Sequence, residues 1–150
     1  IMISLIQRVS FGKVIINGML YSEIRSGIIV FIGFTTNDNL TIVGDQIDRL
    51  IHLRAFPDEQ GKTNINIKDA GGELLIIPQF TLAASLKNGN RPSFSSALKP
   101  KLANELFVEG CKLLELHLNE KLKKGVFGAE MQIELCNLGP TTYYLNSDLD

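Results

Sequence analysis

The sequence has no tryptophan, only two cysteines and only two histidines among its 150 residues. Cys111 and Cys136 lie in dissimilar segments far apart in the chain, so we predict two reduced thiols and neither a disulfide framework nor a CxxC metal site. No sign of charge dominates, because fifteen basic and sixteen acidic residues leave a formal net charge of −1. This balance argues against a protein that coats nucleic acid through bulk charge, so any nucleic-acid contact has to use a local patch.

Long apolar segments are also missing. The longest apolar run, Ile28 to Phe34, is far shorter than the roughly 20 residues that span a bilayer, and the first residues lack the charged-then-apolar order of a secretory signal. We therefore expect a cytoplasmic protein without a membrane partner. No repeat or Pro/Ser-rich linker divides the chain, so residues 1–150 are expected to form a single domain.

The common catalytic signatures are absent as well. The sequence contains no P-loop, no GxGxxG dinucleotide fingerprint, no GxSxG nucleophile elbow and no zinc-binding HExxH motif. His52 and His117 both fall within predicted helices, where a structural role is the more common one. A catalytic triad would have to recruit one of them, so we do not expect a conventional triad.

The first third of the chain is predicted to form strands. Its clearest local signal is Asn17-Gly18, a dipeptide suited to a two-residue type I′ turn, between apolar segments that end at Ile16 and begin at Met19. The apolar run from Ile28 to Phe34 predicts a strand that is covered on both faces.

Two longer segments have helical periodicity. Apolar residues recur every three or four positions between Asn39 and Leu53, with Asp38 or Asn39 placed to cap the helix. A second helix is predicted from Pro100, a residue type that helices tolerate in their first turn, towards Leu122.

The remaining apolar segments predict further strands. One runs from Glu73 to Ile77 and ends at Pro78, which has no N–H to offer a central ladder. Two more, Met131 to Cys136 and Thr142 to Leu145, are separated by a predicted turn at Asn137 to Pro140. Together these elements predict a mixed α/β (α+β) fold, in which two main helices cover a curved, barrel-like β-sheet.

A local basic patch exists despite the balanced charge. From Ser85 to Asn104 the sequence has no acidic residue, and it contains four cationic ones. These are Lys87, Arg91, Lys99 and Lys101. On charge alone the segment is either a solvated loop with a helix start or a contact for nucleic-acid phosphates.

Two separated motifs give the sequence a specific resemblance. Residues 79–82, Gln-Phe-Thr-Leu, match most of an SQFTL motif, and residues 137–142, Asn-Leu-Gly-Pro-Thr-Thr, match the pattern NxGPxT. In this order, and with matching flanks at 91–94 and 127–129, they resemble the D-aminoacyl-tRNA deacylase family over nearly the whole chain.

The resemblance implies an enzyme that hydrolyses the ester between a D-amino acid and tRNA, and that also removes glycine wrongly attached to tRNA. It implies a cytoplasmic homodimer with shared active sites and no metal or organic cofactor. Its partner would be aminoacyl-tRNA rather than DNA, and its fold would be that of the deacylase family.

The resemblance also assigns site residues. A cis Gly139-Pro140 peptide of one subunit is expected to insert into the partner's site, where it faces Gln79, Phe80 and Thr81. Its two carbonyl oxygens would hold the α-ammonium group of the substrate and leave space for a side chain on only one face of Cα. Glycine has no side chain and would pass the same filter.

The implied chemistry agrees with the missing triad. An aminoacyl-tRNA ester has a neighbouring ribose hydroxyl, so the substrate is able to supply or orient its own nucleophile. The N–H groups near Phe80 and Thr81 are then expected to stabilise the oxyanion. The Thr81 hydroxyl either orients the ester or attacks it, although without a neighbouring base it is a poor nucleophile.

Arg8, Phe127, Met131 and the cations of the basic stretch receive roles from the same resemblance. Arg8 is expected to support the Gly-Pro loop. Phe127 and Met131 are expected either to line a pocket for the terminal adenosine or to have an ordinary core role. The cations of the basic stretch are expected to contact phosphates near the tRNA acceptor end.

One position departs from the family pattern. Pro78, which we expect to border the substrate, stands where the motif has serine, and it brings neither a hydroxyl nor an N–H to the site. A related deacylase with relaxed stereospecificity is therefore one alternative. A non-catalytic RNA-binding module and a structural dimerisation domain are the others, although an aromatic content of 7% disfavours base stacking.

Overall fold

The computed structural model describes residues 1–148, which form one mixed α/β unit. Its strands are β1 (Ile3–Ile16), β2 (Met19–Ile24), β3 (Gly27–Gly33), β4 (Phe56–Pro57), β5 (Thr63–Ile65), β6 (Glu73–Pro78), β7 (Leu122–Lys124) and β8 (Gln132–Asn146). Its α-helices are α1 (Leu40–His52), α2 (Ile67–Ala70) and α3 (Pro100–Leu118). Short 3₁₀ helices span Phe80–Ala83 and Asn119–Lys121.

The main sheet is strongly curved. Its strands follow the order β2-β1-β3-β6-β7, and β8 pairs with β1. The two outer strands of this order, β2 and β7, come close to each other. The Ser22 hydroxyl on β2 donates a hydrogen bond to the Lys124 carbonyl on β7 at 2.9 Å. The expected fold, a barrel-like sheet covered by two main helices, is therefore confirmed, with α2 as a small addition.

Strand β3 shows how the core is divided. Alternate side chains of a strand point to opposite faces, so Ile28, Val30 and Ile32 pack under α1 and α3, whereas Ile29 packs inside the curved sheet. The whole strand is therefore covered on both sides, as its uninterrupted apolar sequence predicts.

The local signals in the first half of the chain are confirmed. Asn17 and Gly18 both have positive φ angles, 52° and 75°, as a type I′ turn between β1 and β2 requires. Of the two candidate caps for α1, Asn39 is the one used, since its side chain accepts a hydrogen bond from the Ile42 N–H at 3.0 Å.

Two predictions for the second half were wrong in their boundaries: the end of α3, and the division of the last strand into two. Helix α3 ends at Leu118 instead of continuing towards Leu122, which begins strand β7. β7 has only three residues, too few to show a period, and its parallel pairing with β6 is what makes it a strand.

The two final strands are in fact one. β8 runs through the predicted turn, and its pairing with β1 shows why: Asn137 pairs with Val9 and Thr142 with Gln7. Five steps along β8 thus match two along β1, so three residues of β8 are extra and form a bulge inside a continuous strand.

Neither cysteine forms a disulfide among residues 1–148. Cys111 is on the buried side of α3, and this burial raises the pKa of its thiol to about 12. Of the helices in the described part of the chain, none has the length and apolar character that crossing a membrane requires.

Candidate active site

A cavity of about 430 Å³ opens where β6 ends and α3 begins. Its walls come from β3, from the segment that follows β6, from the start of α3 and from the turn after β7. The lining residues are Ile32, Phe34, Pro78, Gln79, Phe80, Phe94, Ala97, Leu98, Lys99, Pro100, Ala103, Phe127 and Gly128.

Pro78 determines how β6 ends at this cavity. It is buried and occupies the last position of the strand, where it pairs with Ile32. The following residue, Gln79, makes the last bond of this ladder, from its N–H to the Ile32 carbonyl at 2.7 Å. The chain then turns into the 3₁₀ helix, so the proline marks the point where the sheet gives way to the site.

The 3₁₀ helix at Phe80–Ala83 begins at the cavity, which Phe80 lines, whereas Thr81 is exposed and is not one of the lining residues. The first N–H groups of such a helix have no partner within it, and no side chain caps them here. Within residues 1–148, neither the Phe80 nor the Thr81 N–H donates to another backbone group. The Gln79 amide donates to the Thr81 hydroxyl at 2.5 Å, which ties the start of the turn together.

Phe80 forms one wall of the cavity with Phe94. Their ring centroids are 5.1 Å apart, and the rings are inclined by 57°. Phe94 follows a small hairpin loop whose ends, Ser85 and Ser93, exchange backbone hydrogen bonds of 2.8 and 2.9 Å. The sequence alone does not predict this contact, because it joins residues 14 positions apart.

The four cations of the basic stretch take different positions. Lys87 and Arg91 lie exposed on the hairpin loop between Ser85 and Ser93. Lys99 lines the cavity itself, and Lys101 is exposed in the first turn of α3. Of the four, Lys99 is thus the one that lines the cavity, while Lys87, Arg91 and Lys101 are exposed outside the lining.

Phe127 and Met131, which the sequence groups together, separate in the structure. Phe127 lines the cavity, and its ring lies 6.4 Å from that of Phe107, measured between centroids. Met131 does not line it, and packs instead against the cluster inside the curved sheet.

The Gly139-Pro140 bulge lies apart from the cavity of its own chain. The peptide bond is cis, both residues are exposed, and neither contributes to the cavity lining. Asn137 braces the bulge, because its side-chain amide donates to the Arg8 carbonyl at 3.1 Å and to the Thr141 carbonyl at 2.9 Å. The Arg8 side chain itself donates elsewhere, to the Ala55 carbonyl at 3.0 Å.

The cavity lining is chemically sparse. Gln79 and Lys99 are the polar side chains among the lining residues, which include no carboxylate, histidine or cysteine. His52 and His117 are exposed on α1 and α3. Within residues 1–148, no group of three or more His, Cys, Asp or Glu side chains is placed to hold a metal ion. What the cavity offers is an apolar, aromatic-walled space at the start of a 3₁₀ helix, whose first residue, Phe80, is part of the wall.

Both the sequence and the architecture match those of known proteins. Residues 5–146 match the family model described as D-Tyr-tRNA(Tyr) deacylase. The chain belongs to that family. A D-aminoacyl-tRNA deacylase of Pseudoalteromonas translucida is 46% identical over 144 residues, which cover 94% of this chain and 97% of the relative.

Two solved structures are similar over nearly their whole length. One, named c-Myc DNA Unwinding Element Binding Protein, has a TM-score of 0.91 and 32% identity, and the match covers 96% of this chain and 97% of that one. The other, described as a probable eukaryotic D-amino acid tRNA deacylase, has a TM-score of 0.85 at 15% identity, with 96% and 98% coverage, and supports the fold.

These matches confirm three predictions from the sequence: the family, the fold, and the enzyme class, a hydrolase that acts on ester bonds.

Proposed function

We propose that this chain hydrolyses the ester bond of D-aminoacyl-tRNA and releases the free D-amino acid and tRNA. The observation that carries the proposal is an apolar cavity lined by Phe80, the first residue of a 3₁₀ helix, in a chain that belongs to a deacylase family. Within residues 1–148 the Phe80 and Thr81 N–H groups donate to no other backbone group, and we propose that they face the reacting ester. Hydrolysis of such an ester needs positioning and oxyanion stabilisation more than it needs an acid or a base from the protein.

The proposed reaction is assisted by the substrate. Water adds to the ester carbonyl carbon while the neighbouring ribose hydroxyl orients it, and the negative charge develops on the carbonyl oxygen beside the Phe80 and Thr81 N–H groups. The bond to the ribose oxygen then breaks, and the leaving oxygen takes up a proton. The Thr81 hydroxyl helps to orient the ester. This scheme accounts for a cavity whose lining has no carboxylate, histidine or cysteine.

The proposed chirality filter is supplied by a second copy of the chain. Gly139 and Pro140 are exposed on β8, which pairs only with β1 among the strands of the described chain. Leu138, Tyr143 and Tyr144 add exposed apolar surface to the same strand. We propose a homodimer in which the Gly139 and Pro140 carbonyls of one subunit hold the α-ammonium group in the other subunit's cavity.

Such a filter acts through main-chain atoms and the space beside them. It therefore excludes an L side chain by contact and accepts D side chains of different sizes. Glycyl-tRNA passes, because glycine has no side chain to be excluded. Arg8 supports this arrangement through its carbonyl, which the bracing side chain of Asn137 contacts.

The nucleic acid is proposed to approach over the basic stretch. Its terminal adenosine fills the aromatic part of the cavity near Phe127, beside the buried Pro78, and Lys99 faces the adjoining phosphate. Lys87, Arg91 and Lys101 contact phosphates further along the acceptor strand. We place this reaction in the cytoplasm, with the rest of translation.

A direct test compares the hydrolysis of D-tyrosyl-tRNA, L-tyrosyl-tRNA and glycyl-tRNA under single-turnover conditions. We expect fast turnover of the D and glycyl esters and no measurable turnover of the L ester. Equal rates for D and L esters would indicate a deacylase with relaxed stereospecificity. Salt-sensitive tRNA binding without any turnover would indicate an RNA-binding module instead.

A subunit-mixing experiment tests the shared site. Phe80→Pro removes an N–H donor from the cavity edge, and Gly139→Leu places bulk on the bulge, so each homodimer is expected to be inactive. Random reassociation gives heterodimers with one intact site, and activity should return to about a quarter of the wild-type rate. Mixtures that stay inactive after verified subunit exchange would contradict the shared site.

A further inference from the structure

We infer that Met131 is a positioning residue: its thioether holds the turn at 125–129 and thereby sets the cavity wall formed by Phe127 and Gly128. Its kinetic consequence rests on the proposed function, whereas its structural consequence does not. The assignment replaces both interpretations from sequence, a pocket-lining residue and an ordinary core residue, with an indirect one.

The contact that carries the inference is a hydrogen bond to sulfur. The Val126 N–H donates to the Met131 Sδ atom at 3.4 Å. A thioether is a weak acceptor, but an amide without any partner in a half-buried position is costly, so the sulfur is more than a packing atom here. Replacing it with carbon would leave the Val126 N–H without this acceptor.

The start of the turn is tightly enclosed by the same sulfur. The Gly125 N–H donates to the Ile76 carbonyl of β6 at 2.8 Å. A Cβ atom on Gly125 would lie 3.0 Å from the Met131 Sδ atom and 3.3 Å from Pro78 Cδ. Met131 and the end of β6 therefore enclose the start of the turn from two sides, next to Pro78.

The held turn leads directly to the cavity. Its far side is closed by a hydrogen bond from the Ala129 N–H to the Val126 carbonyl at 3.3 Å, and Gly128 adopts a positive φ of 77°. Phe127 and Gly128 lie between these fixed points and line the cavity, with the Phe127 ring against Phe107. A displacement at Val126 would therefore move the cavity wall.

Met131 itself stays out of the cavity. Its side chain packs against the cluster inside the curved sheet and does not belong to the cavity lining. Its influence on the substrate must consequently pass through the turn. This predicts a change in binding with little change in the chemical step, because the Phe80 and Thr81 N–H groups lie on a different segment.

The test uses matched variants and two readouts. Met131→Leu keeps the apolar volume and removes the acceptor, Met131→Gln restores an acceptor, and Met19→Leu is the control at an exposed methionine. With D-tyrosyl-tRNA we expect Met131→Leu to raise KM by roughly fivefold at nearly unchanged kcat, and Met131→Gln to recover most of the loss. Met19→Leu should match the wild type.

Amide hydrogen exchange supplies the readout that needs no activity. We expect the Val126 amide to exchange faster in Met131→Leu, and its protection to return in Met131→Gln, while Ile29 in the sheet is unchanged. A raised KM with unchanged Val126 exchange would indicate direct substrate contact and overturn the inference. Unchanged KM, or faster exchange that includes Ile29, would overturn it too. If the wild type hydrolyses no aminoacyl-tRNA, the proposed function fails, and the exchange comparison still decides the role of Met131.

Discussion

The side-chain amide of Gln79 donates a hydrogen bond to the Thr81 hydroxyl at 2.5 Å, across the start of the 3₁₀ turn at the cavity edge. Because the hydroxyl accepts this bond, its own proton stays available for donation to a substrate oxygen. An amide donor next to the hydroxyl cannot remove that proton. This hydrogen bond supports the proposed orienting role of Thr81, since a nucleophilic threonine would need a base in place of the Gln79 amide.

Thr81→Ala tests this assignment. We expect the rate of D-tyrosyl-tRNA hydrolysis to fall by no more than roughly tenfold, since only an orienting contact is lost, and Thr81→Ser to stay close to the wild type. Single-turnover rates on folded, dimeric protein provide the measurement. A drop to the uncatalysed rate in Thr81→Ala, with Thr81→Ser active, would establish attack by the hydroxyl and contradict the proposed scheme.

The proposed oxyanion donors are tested by a pair of substitutions at Phe80. Phe80→Pro removes both the ring and the N–H, and proline suits the first position of a helix, whereas Phe80→Leu removes only the ring. We expect kcat to be lower in Phe80→Pro than in Phe80→Leu by about 100- to 1000-fold, the usual effect of one lost donor. Similar kcat values in the two variants would exclude the Phe80 N–H from the reaction.

The basic stretch is tested through the salt dependence of tRNA binding. Lys87→Ala and Arg91→Ala should each lower the slope of log K against log salt by about 0.7 to 0.9, one phosphate contact per residue. Lys112→Ala is the control, because Lys112 is exposed on α3 and pairs with Glu109 at 3.1 Å. Identical slopes in the wild type and the three variants would show that the hairpin loop does not contact tRNA phosphates. Equal competition by duplex DNA would contradict the expected preference for tRNA.

Two glycine substitutions should change stability in opposite directions. A Cβ atom on Gly27 would lie 1.8 Å from the Glu73 carbonyl oxygen, so Gly27→Ala should cost at least about 3 kcal/mol or prevent folding. A Cβ atom on Gly44 meets nothing within 4 Å, so Gly44→Ala in α1 should stabilise by roughly 0.5–1 kcal/mol. Urea unfolding measures both, and a tolerated Gly27→Ala would refute the close approach of β3 and β6.

Burial of Cys111 predicts a loss of stability at high pH. Its folded pKa of about 12 lies above the ordinary value of 9.0, so above pH 9 the unfolded chain releases the thiol proton and the folded chain keeps it. Stability should therefore fall as the pH rises through this window, by up to about 1.4 kcal/mol per pH unit. Urea unfolding between pH 8 and 10.5 should show a steeper loss in the wild type than in Cys111→Ala. Parallel curves would contradict the buried, neutral thiol.

What the sequence predicts well is local chemistry. Asn17-Gly18 specifies its turn through two positive φ angles, and Asn39 caps α1 with its own side chain, so neither needs information from distant residues. The periodicity of α1 likewise identifies it as a helix, and the uniformly apolar sequence of β3 identifies it as a buried strand. The motif residues at the cavity edge also stand at the end of β6, where Pro78 stops the ladder.

What the sequence misses depends on distant partners. The segment around Gly139 has turn chemistry, and only its pairing with β1 shows that it is a bulge in one strand. Phe94 forms a wall of the cavity only through its contact with Phe80. Met131 lies outside the cavity that Phe127 lines, and no spacing rule encodes its hydrogen bond with the Val126 N–H. Tertiary contacts decide each of these cases.

The central position of strand β1 affects how the sheet unfolds. It hydrogen-bonds to β2, to β3 and to β8, so three ladders share one strand. Losing β1 would deprive all three neighbours of partners at once, and β8, which carries the Gly-Pro bulge, would lose the one strand it pairs with in the described part of the chain. Unfolding of the sheet should accordingly be all-or-none, with no half-melted species that keeps a working site.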